Sequence, residues 1–154
     1  MSTLLCTMMI FGISGCKSTK VVGKDIKFDD INDFYFTYSS STNPPEFQRY
    51  RFYKEDDRYY YYHETREGDH WPLTEADITV SGIKELSKEE TDRFFEYLKN
   101  GTVKAREEST DSGDSGPWMY LYWKNDKGKY QEFSFASYDI QRAYENYCIS
   151  LKEN

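Results

Sequence analysis

Apolar and polar side chains alternate on both sides of a short polar turn in the C-terminal third of the chain. The segments WMYLYW (118–123) and KYQEFSFA (129–136) flank the turn at 125–128, and this pattern predicts a β-hairpin. Successive side chains of a strand point to opposite faces, so the hairpin has one almost wholly apolar face. That face carries Met119, Leu121, Trp123, Gln131, Phe133 and Phe135. The other face carries rings whose polar groups can reach water: Trp118, Tyr120, Tyr122 and Tyr130.

Shorter stretches with the same alternation predict further strands earlier in the chain. Three of them span 33–39, 47–54 and 58–65, and the acidic turn Glu55-Asp56-Asp57 joins the last two. A fourth short strand is expected at 77–81, with Ile78 and Val80 pointing inward.

Two segments have the apolar spacing of amphipathic helices. Ser87 and Glu90 form a capping box, which predicts a helix that runs to about Asn100 and ends at a left-handed Gly101. This helix is expected to bury Phe94, Tyr97 and Leu98. A second helix, capped near Ser137, is predicted from Tyr138 to about Lys152. Its apolar stripe comprises Ile140, Ala143, Tyr144, Tyr147, Cys148 and Leu151.

The order of these elements predicts the fold class. Strands, a helix, a second set of strands and a second helix indicate an α+β domain. We expect a two-layer sandwich, in which both helices pack on one face of an antiparallel sheet. At 154 residues the chain has the length of one domain, which we place at 33–154.

Composition and charge narrow the possible partners. Aromatic residues make up 18% of the chain and include 15 Tyr, so the core is expected to be built largely from rings. The formal net charge of −7 excludes the basic surface that nucleic acid requires, and we therefore expect no nucleic-acid partner.

The N-terminal segment predicts a membrane anchor. Residues 4–13 form an apolar run with the length of a signal-peptide core, which is too short to span a bilayer as a helix. The run leads into Ile13-Ser14-Gly15-Cys16, which resembles the lipobox of bacterial lipoproteins. The resemblance implies a signal peptide at 1–15, acylation of Cys16 and attachment to the extracytoplasmic side of a bacterial cell membrane. We expect residues 16–32 to form the lipidated cysteine and a flexible tether.

Two further observations agree with this compartment. Once Cys6 has left with the signal peptide and Cys16 is acylated, Cys148 is the one remaining cysteine, and its helical spacing predicts a buried, inert thiol. The segments 66–82, 115–123 and 129–138 resemble small uncharacterised lipoproteins of gut-type bacteria. This resemblance implies the compartment and a single domain, and it carries no known activity.

Candidate catalytic motifs are weak. Residues 113–117, GDSGP, resemble the nucleophile motif of chymotrypsin-like proteases but lack one glycine and a histidine nearby. His63 and His70 lie near several carboxylates and are weak candidate metal ligands, but the HExxH spacing of zinc proteases is absent. We identify no cofactor motif.

These observations favour a lipid-anchored, non-enzymatic binding module for a protein or a glycan. Its exposed aromatic residues, Trp118, Tyr120, Tyr122 and Tyr130, are the candidate ligand-binding platform. The alternative is an envelope hydrolase that uses carboxylates near Glu64, Glu67 and Asp69 for acid-base chemistry.

Overall fold

The computed structural model describes residues 19–105, 116–124 and 131–152. In these residues the chain forms one eight-stranded antiparallel sheet and two α-helices, which confirms the α+β prediction. The strands are β1 (Lys20–Val21), β2 (Ile31–Ser40), β3 (Glu46–Glu55), β4 (Arg58–Arg66), β5 (Ile78–Glu85), β6 (Thr102–Ala105), β7 (Gly116–Trp123) and β8 (Gln131–Ser134). The helices are α1 (Lys88–Leu98) and α2 (Tyr138–Lys152).

The strand order is β1-β6-β8-β7-β2-β3-β4-β5, so β7 and β2 lie in the middle of the sheet. Apolar residues face each other across this central pair, with Phe34 opposite Leu121. The pairing of β7 with β8 through Tyr120 and Glu132 agrees with the predicted division of the hairpin into two faces. The turn at 125–128 lies outside the described residues.

The acidic turn between β3 and β4 is confirmed. Asp56 and Asp57 both have positive φ angles, 47° and 61°. A two-residue hairpin loop of this kind matches the twist of the flanking strands, and Asp tolerates the left-handed region better than most residues.

Aromatic rings form most of the core. Phe52 of β3 stacks on Phe94 of α1, with ring centroids 4.2 Å apart and an interplanar angle of 4°. Tyr144 of α2 meets Phe34 of β2 edge-on at 5.6 Å. Other residues with at most 1% exposure include Ile26, Ile31, Tyr61, Leu98, Val103, Leu121 and Phe133.

Helix α1 begins as the sequence predicts and differs in its buried residues. The Ser87 hydroxyl accepts from the Glu90 amide at 3.2 Å, and the Glu90 carboxylate accepts from the Ser87 amide at 2.9 Å. Phe94, Phe95 and Leu98 are buried, whereas Tyr97 is only partly buried. Phe95 is buried against Phe28, with ring centroids 5.1 Å apart. Phe28 lies in the segment that the sequence predicts to be a tether.

The C-terminal end of α1 corrects a second prediction. Asn100, and not Gly101, adopts the left-handed conformation, with φ of 62°. Gly101 is instead required by close packing, because a Cβ atom there would lie 2.4 Å from the Phe133 ring. Asn is among the residues that tolerate this conformation, so it can end the helix without glycine.

Helix α2 has the predicted bounds. The Ser137 hydroxyl accepts from the Ile140 amide at 3.3 Å near its first turn. The buried side chains are Tyr144, Tyr147, Cys148 and Leu151, while Ala143 is exposed. Cys148 is fully buried, as predicted, and burial raises the pKa of its thiol well above the usual range. Such a thiol is a poor nucleophile.

Val80 pairs with Thr65 and so points to the face that carries Tyr61, as predicted, but it is not buried. The side chain is 53% exposed, and β5 continues past the predicted end at residue 81 to Glu85. The reason is its place in the sheet: β5 is an outermost strand, so it has a neighbouring strand on one side only.

The tether predicted for residues 16–32 is wrong from Lys20 onward. β1 pairs with β6, a short strand that the sequence pattern did not reveal, and the Val22 amide donates to the Gly101 carbonyl at 2.9 Å. Val22, Ile26 and Ile31 are at most 1% exposed. These apolar side chains are widely spaced among polar ones. The sequence pattern is therefore typical of a linker, although the segment contributes to the core.

Candidate functional site

One face of the sheet is covered with arginine and tyrosine side chains. It is the face to which Asp33, Tyr35 and Thr37 of β2 point, opposite to the buried rings of Phe34 and Phe36, and we call it the arginine–tyrosine face. Pairing across β7, β2, β3 and β4 aligns its side chains in three rows. The rows are Trp118-Thr37-Arg49-Glu64, Tyr120-Tyr35-Arg51-Tyr62 and Tyr122-Asp33-Tyr53-Tyr60.

A concavity of about 560 Å³ lies on this face above β2 and β7. We call it the aromatic concavity. Tyrosine rings form much of its wall, and Tyr35 meets Tyr122 edge-on with centroids 6.2 Å apart. Polar groups on β2 and β3 complete it. Its lining residues are Asn32, Asp33, Tyr35, Thr37, Arg49, Tyr120 and Tyr122.

An ion pair lies at one side of this concavity. Two nitrogens of Arg51 donate to the two carboxylate oxygens of Asp33, with Nε–Oδ1 at 3.0 Å and Nη2–Oδ2 at 2.5 Å. The hydrogen bond to Asp33 raises the pKa of Arg51, so this guanidinium is always charged. Arg51 also lies over the ring of Tyr35, 5.0 Å from its centroid. Burial, with a further contribution from Asp33, raises the pKa of Tyr35, which therefore keeps its hydroxyl proton at neutral pH.

Arg49 connects the concavity to a buried ionic network. Its Nε donates to the Thr37 hydroxyl at 3.2 Å, and its Nη1 lies 3.5 Å from the Glu64 carboxylate. The same carboxylate accepts from Arg66 Nη2 at 2.6 Å and Nε at 2.9 Å, and from the Tyr62 hydroxyl. Burial and this hydrogen bond raise the pKa of Tyr62 to about 12. Arg66 is in turn packed over Phe47, 4.2 Å from its ring centroid.

The three carboxylates predicted for the hydrolase alternative differ in burial and in their contacts. Glu64 is 3% exposed and bound by arginine, whereas Glu67 and Asp69 are exposed in the segment that follows β4. A general acid or base must reach substrate with a proton that can be exchanged. The two arginines and one tyrosine around Glu64 occupy its oxygens in structural contacts.

The two histidines occupy separate surroundings. His63 points away from the arginine–tyrosine face into a small concavity of about 270 Å³ with Tyr61, Gly82 and Lys152. Burial and the positive charge of Lys152 lower the pKa of His63, so the neutral form is favoured. His70 Nε2 instead lies 3.1 Å from Asp77 Oδ1. Within residues 19–105, 116–124 and 131–152, no group of three or more His, Cys, Asp or Glu side chains could hold a metal ion.

Some of the site residues predicted from the sequence lie within the described part of the chain, and others lie outside it. Trp118, Tyr120 and Tyr122 are partly exposed on the arginine–tyrosine face, next to β2. Tyr130, Cys16 and most of the GDSGP segment lie outside the described residues. Sequence reasoning missed Asp33, Tyr35 and Arg49 as neighbours of this group. Their alternation along β2 and β3 was visible, but the pairing of β2 with β7 was not.

No protein-family model, curated protein or solved structure matches this chain. In the part of the chain that the structure describes, no helix is long and apolar enough to cross a membrane.

Proposed function

We propose that this chain is a lipid-anchored bacterial cell-envelope protein whose single domain binds a carbohydrate in the aromatic concavity. One observation carries the proposal: three tyrosine rings line the same concavity as the amide of Asn32, the carboxylate of Asp33 and the guanidinium of Arg49. Sugars have apolar C–H faces that pack on aromatic rings and hydroxyls that pair with such polar groups. A concavity with apolar walls and a few polar groups is typical of a binding site.

We also infer a two-layer sandwich in which both helices cover the same face of the sheet. The ring contacts support this arrangement, since Phe94 of α1 and Tyr144 of α2 both contact Phe34 and Phe52. The arginine–tyrosine face points the opposite way along the same strands. A sandwich of this kind leaves it available for a ligand.

Binding at the concavity can be tested with purified full-length protein and oligosaccharides. Peptidoglycan fragments and common glycans serve as probes in a thermal-shift screen. A glycan at 100 times its dissociation constant stabilises a protein by about 2.7 kcal/mol, which raises the midpoint by several degrees at this chain length. We expect Tyr120→Ala to weaken that binding about two- to tenfold, because one ring contact contributes roughly 0.5–1.5 kcal/mol.

The matched control is Tyr138→Ala. Tyr138 begins α2 and is 69% exposed, and it is not among the residues that line the concavity. Its replacement should leave glycan affinity unchanged. A screen in which no glycan shifts the midpoint would contradict carbohydrate binding and favour a protein partner. A glycan whose affinity survives Tyr120→Ala would place the site elsewhere.

The anchor has an independent test. The proposal predicts that Cys16 carries the acyl chains and holds the domain at the membrane, since each buried methylene contributes about 0.8 kcal/mol. In cells that express the chain, incorporation of labelled fatty acid should be lost in Cys16→Ser and kept in Cys148→Ser. Because Cys148 is fully buried, it is a matched cysteine that acylation should not reach. Label retained in the Cys16→Ser protein would refute the anchor without affecting the carbohydrate proposal.

A further inference from the structure

The two outermost strands of the sheet differ in length. β1 has two residues, whereas β5 at the opposite end has eight. Among the described residues, no strand lies beyond β5. A long outer strand presents a row of backbone groups that can pair with another strand.

The pairing of β5 with β4 shows which of its backbone groups point outward. The Leu86 amide donates to the Tyr59 carbonyl at 2.9 Å, which marks this pair as one that exchanges hydrogen bonds. In an antiparallel ladder such pairs alternate with pairs whose N–H and C=O groups point away from each other. Counting back along the register, the outward groups of β5 belong to Ser81, Ile83 and Glu85.

The side chains of β5 leave apolar surface at the same edge. Ile83 is 67% exposed and Val80 is 53% exposed, and both are among the large hydrophobic residues that the described part of the chain leaves in contact with solvent. Ile83 lies opposite Tyr62 and therefore on the arginine–tyrosine face. The outward N–H and C=O groups of β5 lie next to this exposed β-branched side chain. Both features favour the addition of a further strand.

Charged residues commonly protect such an edge, but those of β5 are engaged within the chain. Lys84 Nζ lies 2.7 Å from Glu90 Oε1 at the start of α1. Glu85 Oε2 lies 3.3 Å from Arg58 Nη1 on the neighbouring strand. Each charge is thus partly neutralised by a contact on its own molecule, and neither obstructs an incoming strand as an isolated lysine would.

We propose that β5 pairs antiparallel with β5 of a second copy of this chain, about a two-fold axis through Ile83. This register places Ile83 opposite Ile83 of the second copy, Ser81 opposite Glu85, and Gly82 opposite Lys84. No like charges face each other, and the exposed side chain of Ile83 packs against its own equivalent. A second copy fits this edge because one two-fold contact uses the same strand on both molecules and then closes.

The dimer would change how the aromatic concavity is presented. The two-fold axis of such a pair is perpendicular to the sheet, so the strands of both copies form one continuous sheet. The arginine–tyrosine faces of the two copies then lie on the same side. Two concavities on one surface suit a polymer with repeated units, since linked sites bind with higher overall affinity than single ones.

Sedimentation of the full chain over a range of concentrations tests the proposal. We expect a species with twice the monomer mass, and loss of that species in Ile83→Lys, which places two charges opposite each other across the axis. Ser81→Pro is the second variant. Its N–H points outward, so proline there removes a bond to the second copy but none to β4. Both variants should keep the circular dichroism spectrum of the parent.

Ile149→Lys is the matched control, because Ile149 is 46% exposed and belongs to α2, not to β5. It should leave the dimer intact. Amide exchange adds a direct readout: the Ile83 amide should be protected at high protein concentration and exposed on dilution. A chain that remains monomeric at millimolar concentration, or a dimer that survives both β5 variants, would overturn the proposal.

Discussion

Replacing Phe94 with alanine is expected to lower the free energy of unfolding by about 3–5 kcal/mol, measured by urea denaturation. Phe94 is fully buried, and its ring stacks on Phe52 with centroids 4.2 Å apart. The substitution leaves a cavity where α1 meets the sheet and removes the stacking contact. Since domains of this size are typically stable by 5–15 kcal/mol, the loss is a large part of the total.

Two companion variants make this result interpretable. Phe94→Leu fills more of the space and should cost less than Phe94→Ala, which keeps the comparison possible even if the alanine variant is largely unfolded. Tyr138→Ala removes an exposed ring from α2 and should change stability by no more than about 0.5 kcal/mol. Equal losses for Phe94→Ala and Tyr138→Ala would contradict the packing described for α1.

The second large effect is expected at the buried carboxylate of the ionic network. Glu64→Gln should lower the free energy of unfolding by about 3–5 kcal/mol, because it leaves the Arg66 guanidinium buried without its counter-charge. The side chains of Arg66 and Glu64 are only 8% and 4% exposed, and Nη2 and Oε1 lie 2.6 Å apart. Denaturant unfolding at neutral pH measures the change.

A double variant distinguishes the cost of an unpaired buried charge from the loss of a contact. Replacing Glu64 and its buried partner with apolar residues, as Glu64→Leu with Arg66→Met, should recover much of the stability, since no buried charge is then left unpaired and Arg49, whose side chain is 30% exposed, still contacts water. The control is Glu85→Gln, which breaks the exposed pair with Arg58 and should give no measurable change. A stable Glu64→Gln protein would show that the network contributes little.

The same network connects stability to the proposed site. Glu64 holds Arg49 from one side, and Thr37 contacts it from the other. Arg49 lines the aromatic concavity, whereas Glu64 does not. Glu64→Gln is therefore expected to weaken glycan binding indirectly, by releasing the Arg49 side chain.

Strand and helix positions were largely predictable because the signals that set them are local. The period-two alternation at 47–54 and 58–65, the acidic turn at Asp56 and Asp57, and the Ser87 capping box depend on neighbouring residues only. The sequence pattern also divided β7 correctly into a face with Leu121 and a face with Tyr120. Val80 lies on the predicted face but is exposed, because its burial depends on the position of β5 in the sheet, which no local signal records.

Only part of the candidate site was predictable, because local signals do not show which strands pair. The exposed rings Trp118, Tyr120 and Tyr122 follow from alternation within one strand. Their neighbours do not, because β2 and β7 are far apart along the chain and no local signal records that they pair.

The sequence by itself therefore determined the type of each main element and which side chains share a face. Only the tertiary structure decided the strand order. That order brought Tyr35 between Tyr120 and Arg51, drew Val22 and Ile26 into the core, and left β5 at an edge. The physical reason is that side-chain alternation and helix capping depend on residues that are close to each other along the chain. Strand order is set by the burial of apolar surface over the whole chain.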